Sequence, residues 1–171
     1  MIMLVTGGSG CGKSAYAEKM IASLPGENRI YIATMRVYDD ESVKRVEKHR
    51  LRRADMGFKT IECEKDLSSV HLGKGSVVLL EDLVNLTANE LFDGGEEKRI
   101  IPALNLLARR CTHLVMVTGD VFSDGIAYAP DTQSFLKKLA DVNRAAARMA
   151  DCVVEVVCSL PIMLKGKPPC V

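Results

Sequence analysis

Residues 2–14 read Ile-Met-Leu-Val-Thr-Gly-Gly-Ser-Gly-Cys-Gly-Lys-Ser, and this stretch decides the fold of the chain. The apolar run at residues 2–5 has the length and β-branching of a buried strand, and residues 15–21 have the composition of a helix. Between them stands Gly-x-x-x-x-Gly-Lys-Ser, the phosphate-binding loop, in the strand–loop–helix order that makes such a match specific. The stretch therefore predicts a nucleotide-binding protein.

The residue types of the loop match the chemistry of a polyphosphate. Its glycines lack a Cβ, so the backbone can approach phosphate oxygens closely and direct its N–H groups at them. The helix that follows begins at this point, and its N-terminus also favours anions. Lys13 is expected to reach the β- and γ-phosphates, and the hydroxyl of Ser14 is expected to be a ligand of Mg²⁺.

Composition limits the classes of protein that the chain can belong to. The 171 residues suit one domain, with 47% apolar and 26% charged residues, and the formal net charge is only +1, which argues against a nucleic-acid surface. No apolar run has the ~18 residues of a membrane span, and the N-terminus predicts a strand rather than an export signal. Six scattered cysteines without a Cys-x-x-Cys pair indicate reduced thiols of a cytoplasmic protein.

Strand and helix patterns alternate along the chain. Strands are predicted at residues 29–34, 58–63, 77–82, 113–118 and 152–158, and helices at residues 39–54, 83–92, 97–110 and 135–151. This alternation predicts an α/β fold with a mainly parallel central sheet and flanking helices, with the nucleotide at the carboxyl edge of the strands. Residues from about 160 to 171 are expected to be a loose tail of this single domain.

Two acidic residues close the apolar strand at residues 77–82. Glu81 is expected near the bound nucleotide or its Mg²⁺, because its strand is expected to lie adjacent to the strand that leads into the phosphate loop. Asp82 points to the other face if the strand continues. Glu81 is therefore the preferred functional acid, where it holds the metal or orients the acceptor; the alternative is that both residues cap the next helix.

His49 is the candidate nucleophile. It lies on the predicted helix at residues 39–54, with Arg45 four residues before it and Arg53 four residues after it, so the three side chains share one face. Guanidinium groups neutralise phosphate oxygens, and they lower the pKa of the imidazole by like-charge repulsion. A neutral ring nitrogen can then attack phosphorus. Taken alone, a histidine on a basic surface helix is more often merely solvated.

Taken together, these features give the chain a resemblance to a known family. The phosphate loop is followed in order by Tyr31-Ile32-Ala33-Thr34, Asp39-Asp40-Glu41, Arg45-Val46-x-x-His49-Arg50-x-x-Arg53, Thr60-x-Glu62, Leu79-Leu80-Glu81 and a motif at residues 139–151. The chain resembles the bifunctional adenosylcobinamide kinase/adenosylcobinamide-phosphate guanylyltransferases of cobalamin biosynthesis. The loop combined with Ile-Ala-Thr and the His-Arg helix is the specific part of the match.

The resemblance implies two reactions on a recombinase-like P-loop core. A corrinoid hydroxyl is phosphorylated with ATP or GTP, and GMP is then transferred from GTP to that phosphate through a guanylylated histidine, which corresponds to His49. It also implies a homotrimer with active sites near subunit contacts. The implied nucleotide contacts are Gly7, Gly8, Ser9, Gly10, Cys11, Gly12, Lys13, Ser14, Ala33, Thr34, Met35, Arg50, Leu51, Arg52, Arg53, Glu62 and Glu81.

The sequence departs from the family pattern at three points. Ala54 replaces a usual proline, Phe58 stands near the position of a usual tryptophan, and Thr118-Gly119-Asp120 stands where Thr-Asn-Glu is common. The last change affects the loop that ends at Pro130 and bears on the corrinoid site. It leaves the phosphate loop untouched.

Three other functions remain as alternatives. A regulatory GTPase is disfavoured because the chain has neither Asp-x-x-Gly nor Asn-Lys-x-Asp. The second alternative is a single-activity small-molecule kinase or ATPase, in which His49 is a surface residue without a catalytic role. An ATP-driven assembly protein related to the recombinases would bind nucleic acid, which the near-neutral charge argues against.

Overall fold

A computed structural model describes residues 1–36, 47, 51, 54–121, 125–126 and 128–168. The predicted helix at residues 39–54 lies mostly outside these ranges, as do His49, Arg50, Arg52 and Arg53. Within it, Glu47 and Leu51 are helical, whereas Ala54–Met56 forms a 3₁₀ turn rather than the end of an α-helix.

The described residues form one seven-stranded sheet. Its strands are β1 Ile2–Thr6, β2 Asn28–Ala33, β3 Phe58–Glu62, β4 Ser76–Glu81, β5 His113–Val117, β6 Cys152–Val157 and β7 Leu160–Lys165. Their order across the sheet is β3-β2-β4-β5-β1-β6-β7, and all neighbouring pairs are parallel except β6 with β7. The mainly parallel α/β fold predicted from the sequence is confirmed. The predicted adjacency of the Glu81 strand and the phosphate-loop strand is wrong, because β5 pairs with both and lies between β4 and β1.

Helices cover both faces of the sheet. They are α1 Lys13–Ser23, α2 Leu83–Phe92, α3 Ile100–Arg110 and α4 Pro130–Met149. The α4 helix begins five residues before its predicted start because Pro130 occupies its first turn, where the missing N–H costs nothing. No helix in the described part of the chain has the length and apolar character to cross a membrane.

The core is divided by the sheet into two apolar layers. On one face, α1 packs Ala17 and Ile21 against Val5 and Leu79. On the other face, α2, α3 and α4 cover a larger layer that contains Leu4, Ile32, Leu80, Leu104 and Val142. Because successive strand residues point to opposite faces, Leu4 and Val5 enter different layers. The carboxyl edge of the strands is left for the loops that carry the candidate site.

The loose tail predicted from about residue 160 is wrong for residues 160–165, which form the edge strand β7. A two-residue turn, Cys158 and Ser159, joins it antiparallel to β6, so that Val157 faces Leu160. At the other end, the Lys165 ammonium donates to the carbonyl oxygens of Ala147, Arg148 and Ala150 at 3.1, 3.2 and 2.6 Å. A cation at these carbonyls also complements the negative end of the α4 dipole.

Candidate nucleotide-binding site

The phosphate loop joins β1 to α1 in a conformation that requires glycine at two positions. Gly7 has φ 150°, and a Cβ there would lie 2.5 Å from the Val156 carbonyl oxygen on β6. Gly12 has φ 95° and precedes α1; a Cβ on it would lie 2.7 Å from the Ser159 hydroxyl. The loop is therefore packed against the β6–β7 hairpin as well as against its own helix.

Lys13 and Ser14 lie at the start of α1, where backbone N–H groups have no hydrogen-bond acceptor within the helix. The Lys13 ammonium donates to the Gly8 carbonyl oxygen at 3.0 Å, which holds its charge over the loop. The Ser14 hydroxyl donates to the carboxylate of Glu81. Positive charge, a hydroxyl and a carboxylate thus meet at one end of the loop.

Glu81 is the last residue of β4 and is only 8% exposed. Besides the Ser14 hydroxyl, its carboxylate accepts a hydrogen bond from the Tyr31 hydroxyl on β2 at 3.2 Å. Tyr31 was predicted only as a strand residue. Its position two residues before the end of β2, on the α1 face, is the sequence signal that could have identified it.

Asp82 has a different structural role from Glu81. It is the N-cap of α2, where its carboxylate accepts from the Asn85 N–H at 2.7 Å and from the Asn85 side-chain amide at 3.0 Å. Burial raises the pKa of Asp82, and the neighbouring Glu81 carboxylate adds to that rise. One of the two acids therefore caps the helix while the other faces the loop.

The donor set at the loop fits Mg²⁺. This ion prefers oxygen ligands and is usually bound by one or two carboxylates together with substrate phosphates. The Ser14 hydroxyl and the Glu81 carboxylate are two such oxygens in contact with each other. Across the described residues there is no group of three or more His, Cys, Asp or Glu side chains that could hold a metal without the nucleotide.

Ala33 and Thr34 lie beside Glu81 at the carboxyl edge. The Thr34 N–H donates to the Glu81 carbonyl oxygen at 3.1 Å, and the Thr34 hydroxyl accepts from the Asp82 N–H at 2.7 Å. The Asn89 amide of α2 donates to the Thr34 carbonyl oxygen at 2.8 Å. Asn89 was missed by the sequence analysis, although a polar residue on the buried face of an amphipathic helix is a recognisable signal.

The other predicted contacts differ in how close they come to the loop. Ala33 is the register partner of both Glu62 and Glu81, so these three residues lie side by side across β3, β2 and β4. Met35 is half-buried just beyond this edge, and Leu51 is 77% exposed. The structure thus brings the loop and Glu81 into contact, with Ala33, Thr34 and Glu62 along the same edge.

The segment after β5 also touches the phosphate loop. The Asp120 N–H donates to the Gly7 carbonyl oxygen at 3.1 Å, and the Thr118 hydroxyl is bonded to the Asn143 side chain of α4 at 2.8 Å. The departure from the family pattern at residues 118–120 therefore lies in a segment that contacts the phosphate loop at Gly7. It can alter the shape of the site without changing a loop residue.

Comparison with known proteins identifies the family. The family model described as cobinamide kinase / cobinamide phosphate guanyltransferase matches residues 3–164. The bifunctional adenosylcobalamin biosynthesis proteins CobU of Salmonella typhimurium and Escherichia coli are 30% and 31% identical to this chain, over 96% of it and their full lengths. The crystal structure of the flagellar accessory protein FlaH of Methanocaldococcus jannaschii shares the fold, with TM-score 0.51 and 12% identity over 97% of this chain and 78% of that one.

Proposed function

Because this chain belongs to the cobinamide kinase / cobinamide phosphate guanyltransferase family, we propose that it carries out both reactions of that description. It phosphorylates adenosylcobinamide with ATP or GTP. It then transfers GMP from GTP to adenosylcobinamide phosphate and releases pyrophosphate. The observation that carries the proposal is the family match over residues 3–164, and the contact between Ser14 of the phosphate loop and Glu81 of β4 supports its nucleotide chemistry.

In the kinase step, the terminal hydroxyl of the corrinoid's aminopropanol arm attacks the γ-phosphorus and gives up its proton to solvent. The bond from that phosphorus to the bridging oxygen breaks, and the nucleoside diphosphate leaves. Lys13 and the N–H groups of the loop stabilise the charge on the transferred group. Ser14 and Glu81 would hold Mg²⁺, which would supply positive charge for the transferred phosphoryl group. Tyr31 keeps the Glu81 carboxylate directed at Ser14 through its own hydrogen bond.

In the guanylyl step, a neutral ring nitrogen of His49 attacks the α-phosphorus of GTP. The bond from that phosphorus to the bridging oxygen breaks, and pyrophosphate leaves on the phosphate loop. An oxygen of adenosylcobinamide phosphate then attacks the same phosphorus, and the P–N bond breaks to release the imidazole. Arg45 and Arg53, on the same predicted helix face as His49, are proposed to neutralise the phosphate oxygens during both transfers, and Arg50 and Arg52 are proposed as further nucleotide contacts.

Residues 33–35 and Glu62 on the carboxyl edge, together with Leu51, are proposed to hold the guanosine of this second nucleotide. Their support is the shared edge of β3, β2 and β4, on which Ala33 is aligned with Glu62 and Glu81. Glu47 and Leu51, on either side of His49 in the sequence, are helical and exposed.

The experiment is an intact-mass measurement after incubation with Mg²⁺ and GTP. We expect a GMP adduct that is lost in acid, forms on a His71→Ala control and does not form on His49→Ala. His71 is an exposed residue between the 3₁₀ turn at Leu67–Ser69 and β4, so it controls for the loss of a histidine as such. If the wild-type protein forms no adduct, the result favours a single-activity kinase in which His49 is not a nucleophile.

We further propose a homotrimer in the cytoplasm. The edge strand β7 presents exposed Ile162, Met163 and Leu164, an apolar surface that association of subunits would cover. Five described cysteines are free thiols, in keeping with a reducing compartment. Sedimentation velocity tests the assembly, and a monomer at working concentration would contradict it.

A further inference from the structure

The sheet order gives the phosphate loop two distinct sides. The loop follows β1, and β4 with Glu81 lies two strands away on one side, across β5. The β6–β7 hairpin lies on the opposite side. In a phosphate loop the lysine reaches the β- and γ-phosphates and the hydroxyl residue binds Mg²⁺ at that end. The contact between Ser14 and Glu81 therefore marks the side of the γ-phosphate in the kinase step.

A triphosphate bound in this direction sends its nucleoside toward the hairpin. The turn of the hairpin is in contact with the loop there: the Ser159 N–H donates to the Cys11 carbonyl oxygen at 2.8 Å. The Ser159 hydroxyl also lies 2.7 Å from the position that a Cβ on Gly12 would take. A nucleoside that leaves the loop on this side meets the turn first.

The side chains around the turn suit a purine. Val157 and Leu160 are cross-strand partners that are 43% and 69% exposed, and residues 156–164 include no charged side chain. Binding sites for small molecules are mostly apolar, with a few polar groups that fix orientation. Here the apolar pair offers a surface for the face of a base, and the Ser159 hydroxyl and the backbone of the turn offer polar partners.

The backbone of the turn is also unusual. Cys158 and Ser159 both have positive φ, 50° and 65°, which a two-residue hairpin turn requires and which Asn-Gly or Gly-Gly would adopt at lower cost. Non-glycine residues in this region persist where the surrounding structure holds them, and such positions are concentrated at ligand sites. In this chain the surrounding structure is the phosphate loop itself.

We propose that the β6–β7 turn, residues 157–160, binds the base and ribose of the phosphoryl donor in the kinase step. This rests on the proposed function, which needs two nucleotide reactions on one loop. The guanosine of the guanylyl step lies on the other side, at residues 33–35 and Glu62. The two nucleotides occupy the loop in opposite directions, so that the γ-phosphorus is presented in one reaction and the α-phosphorus in the other.

The position of the nucleoside is tested directly by photolabelling. The full chain with Mg²⁺ is irradiated with 8-azido-ATP and, separately, with 8-azido-GTP, and the modified peptides are mapped. We expect at least one of the two to label residues 152–165, with the label suppressed by excess unmodified nucleotide. Labels confined to residues 33–36 and 62, or no label that unmodified nucleotide suppresses, would overturn the proposal. No corrinoid is present, so this result is independent of whether the proposed reactions occur.

Kinetics of two matched variants give a second test. Leu160→Asp places a charge at the turn, and Leu164→Asp places the same charge four residues further along β7, ~13 Å further from the loop. Leu164 is 58% exposed, so both variants are surface changes, and Leu164→Asp controls for general effects on β7, assembly included. We expect Leu160→Asp to raise the KM for the phosphoryl donor in the kinase step about tenfold. The factor by which Leu164→Asp raises the same KM should be at least fivefold smaller.

The same variants are compared in the guanylyl step. In the guanylyl step, Leu160→Asp should raise the KM for GTP by a factor several-fold smaller than its effect on the donor KM of the kinase step. The reason is that the guanosine of the guanylyl step lies on the other side of the loop. Equal rises in the two variants, or equal rises in the two reactions, would overturn the proposal. If the wild-type chain phosphorylates no corrinoid, the proposed function fails, and the photolabel alone then decides the subsite.

Discussion

Glu81 and Asp82 are adjacent carboxylates with different environments. Glu81 accepts hydrogen bonds from the hydroxyls of Ser14 and Tyr31, whereas Asp82 accepts from the backbone and side chain of Asn85. A carboxylate bonded to a helix N-terminus stabilises the fold. A carboxylate bonded to a hydroxyl of the phosphate loop is available to Mg²⁺ when the nucleotide binds. The two residues should therefore separate activity from stability on mutation.

We predict that Glu81→Gln lowers kcat/KM of the kinase reaction by about 100-fold, because a neutral amide is a poor ligand for Mg²⁺. Its urea midpoint should stay close to the wild-type value. Asp82→Ala should instead lower the free energy of unfolding by about 1 kcal/mol through the lost cap. Kinase assays at saturating Mg²⁺ and urea denaturation measure both effects. An active Glu81→Gln enzyme would refute the metal role.

Cys111 gives a prediction on pH. Its thiol donates to the Leu107 carbonyl oxygen at 3.2 Å, and burial raises the pKa of Cys111 to about 11. The folded state therefore keeps a proton that the unfolded state loses, and stability from this group falls as pH rises from about 9 to about 11. We expect the difference in unfolding free energy between wild type and Cys111→Ala to shrink across that range. A difference that is constant with pH would contradict this.

At the scale of the element, the β6–β7 hairpin is fixed at both of its ends. Its turn is bonded to the phosphate loop through Ser159 and Cys11, and its last strand residue, Lys165, is bonded to the end of α4. The outer strand has all six side chains exposed and therefore little burial of its own. Its position depends on these polar contacts and on pairing with β6.

We predict that Lys165→Met destabilises the protein by about 1–2 kcal/mol, because hydrogen bonds from a charged donor to three carbonyl oxygens are lost. Lys167→Met, two residues further on at an exposed position, is the control and should change stability by less than about 0.5 kcal/mol. Urea denaturation of both variants gives the comparison. Equal stability of the two would show that the Lys165 contacts contribute nothing net.

At the scale of the whole molecule, the site is assembled from loops that follow separate strands of one sheet. The phosphate loop after β1, Glu81 at the end of β4 and Thr34 after β2 meet at one edge because parallel strands end there. A ligand held by several of these segments should stabilise all of them together. Binding is therefore expected to raise the temperature of the global unfolding transition.

We predict that Mg²⁺ with ATP or GTP at ~100 times its Kd raises Tm by about 5–10 °C, from about 2.7 kcal/mol of binding linkage in a domain of this size. Inorganic triphosphate with Mg²⁺ should give much of the same shift, because the loop binds the phosphates. Lys13→Ala should remove most of it. Differential scanning fluorimetry measures the series, and a full shift in Lys13→Ala would refute the placement of the triphosphate.

Local sequence patterns are sufficient to predict the phosphate loop, the buried strands β1, β4 and β5, and the mainly parallel sheet. These follow from local patterns: apolar runs of strand length, glycines at fixed spacing and helices between strands. The sequence also determined the family, because the loop, Ile-Ala-Thr and the following motifs occur in a fixed order along the chain. Each of these patterns is contained in a short stretch of consecutive residues, so it can be recognised without the folded structure.

The β6–β7 hairpin and its contacts could not be predicted from local sequence patterns and are seen only in the folded structure. Its turn is Cys-Ser rather than Asn-Gly, and its outer strand carries Pro161 and no alternating pattern, which an edge strand tolerates because one side of it makes no ladder. The contacts of Ser159 with Cys11 and of Glu81 with Ser14 join residues 148 and 67 positions apart. No local propensity encodes such pairs, since they form only when the sheet brings the strand ends together.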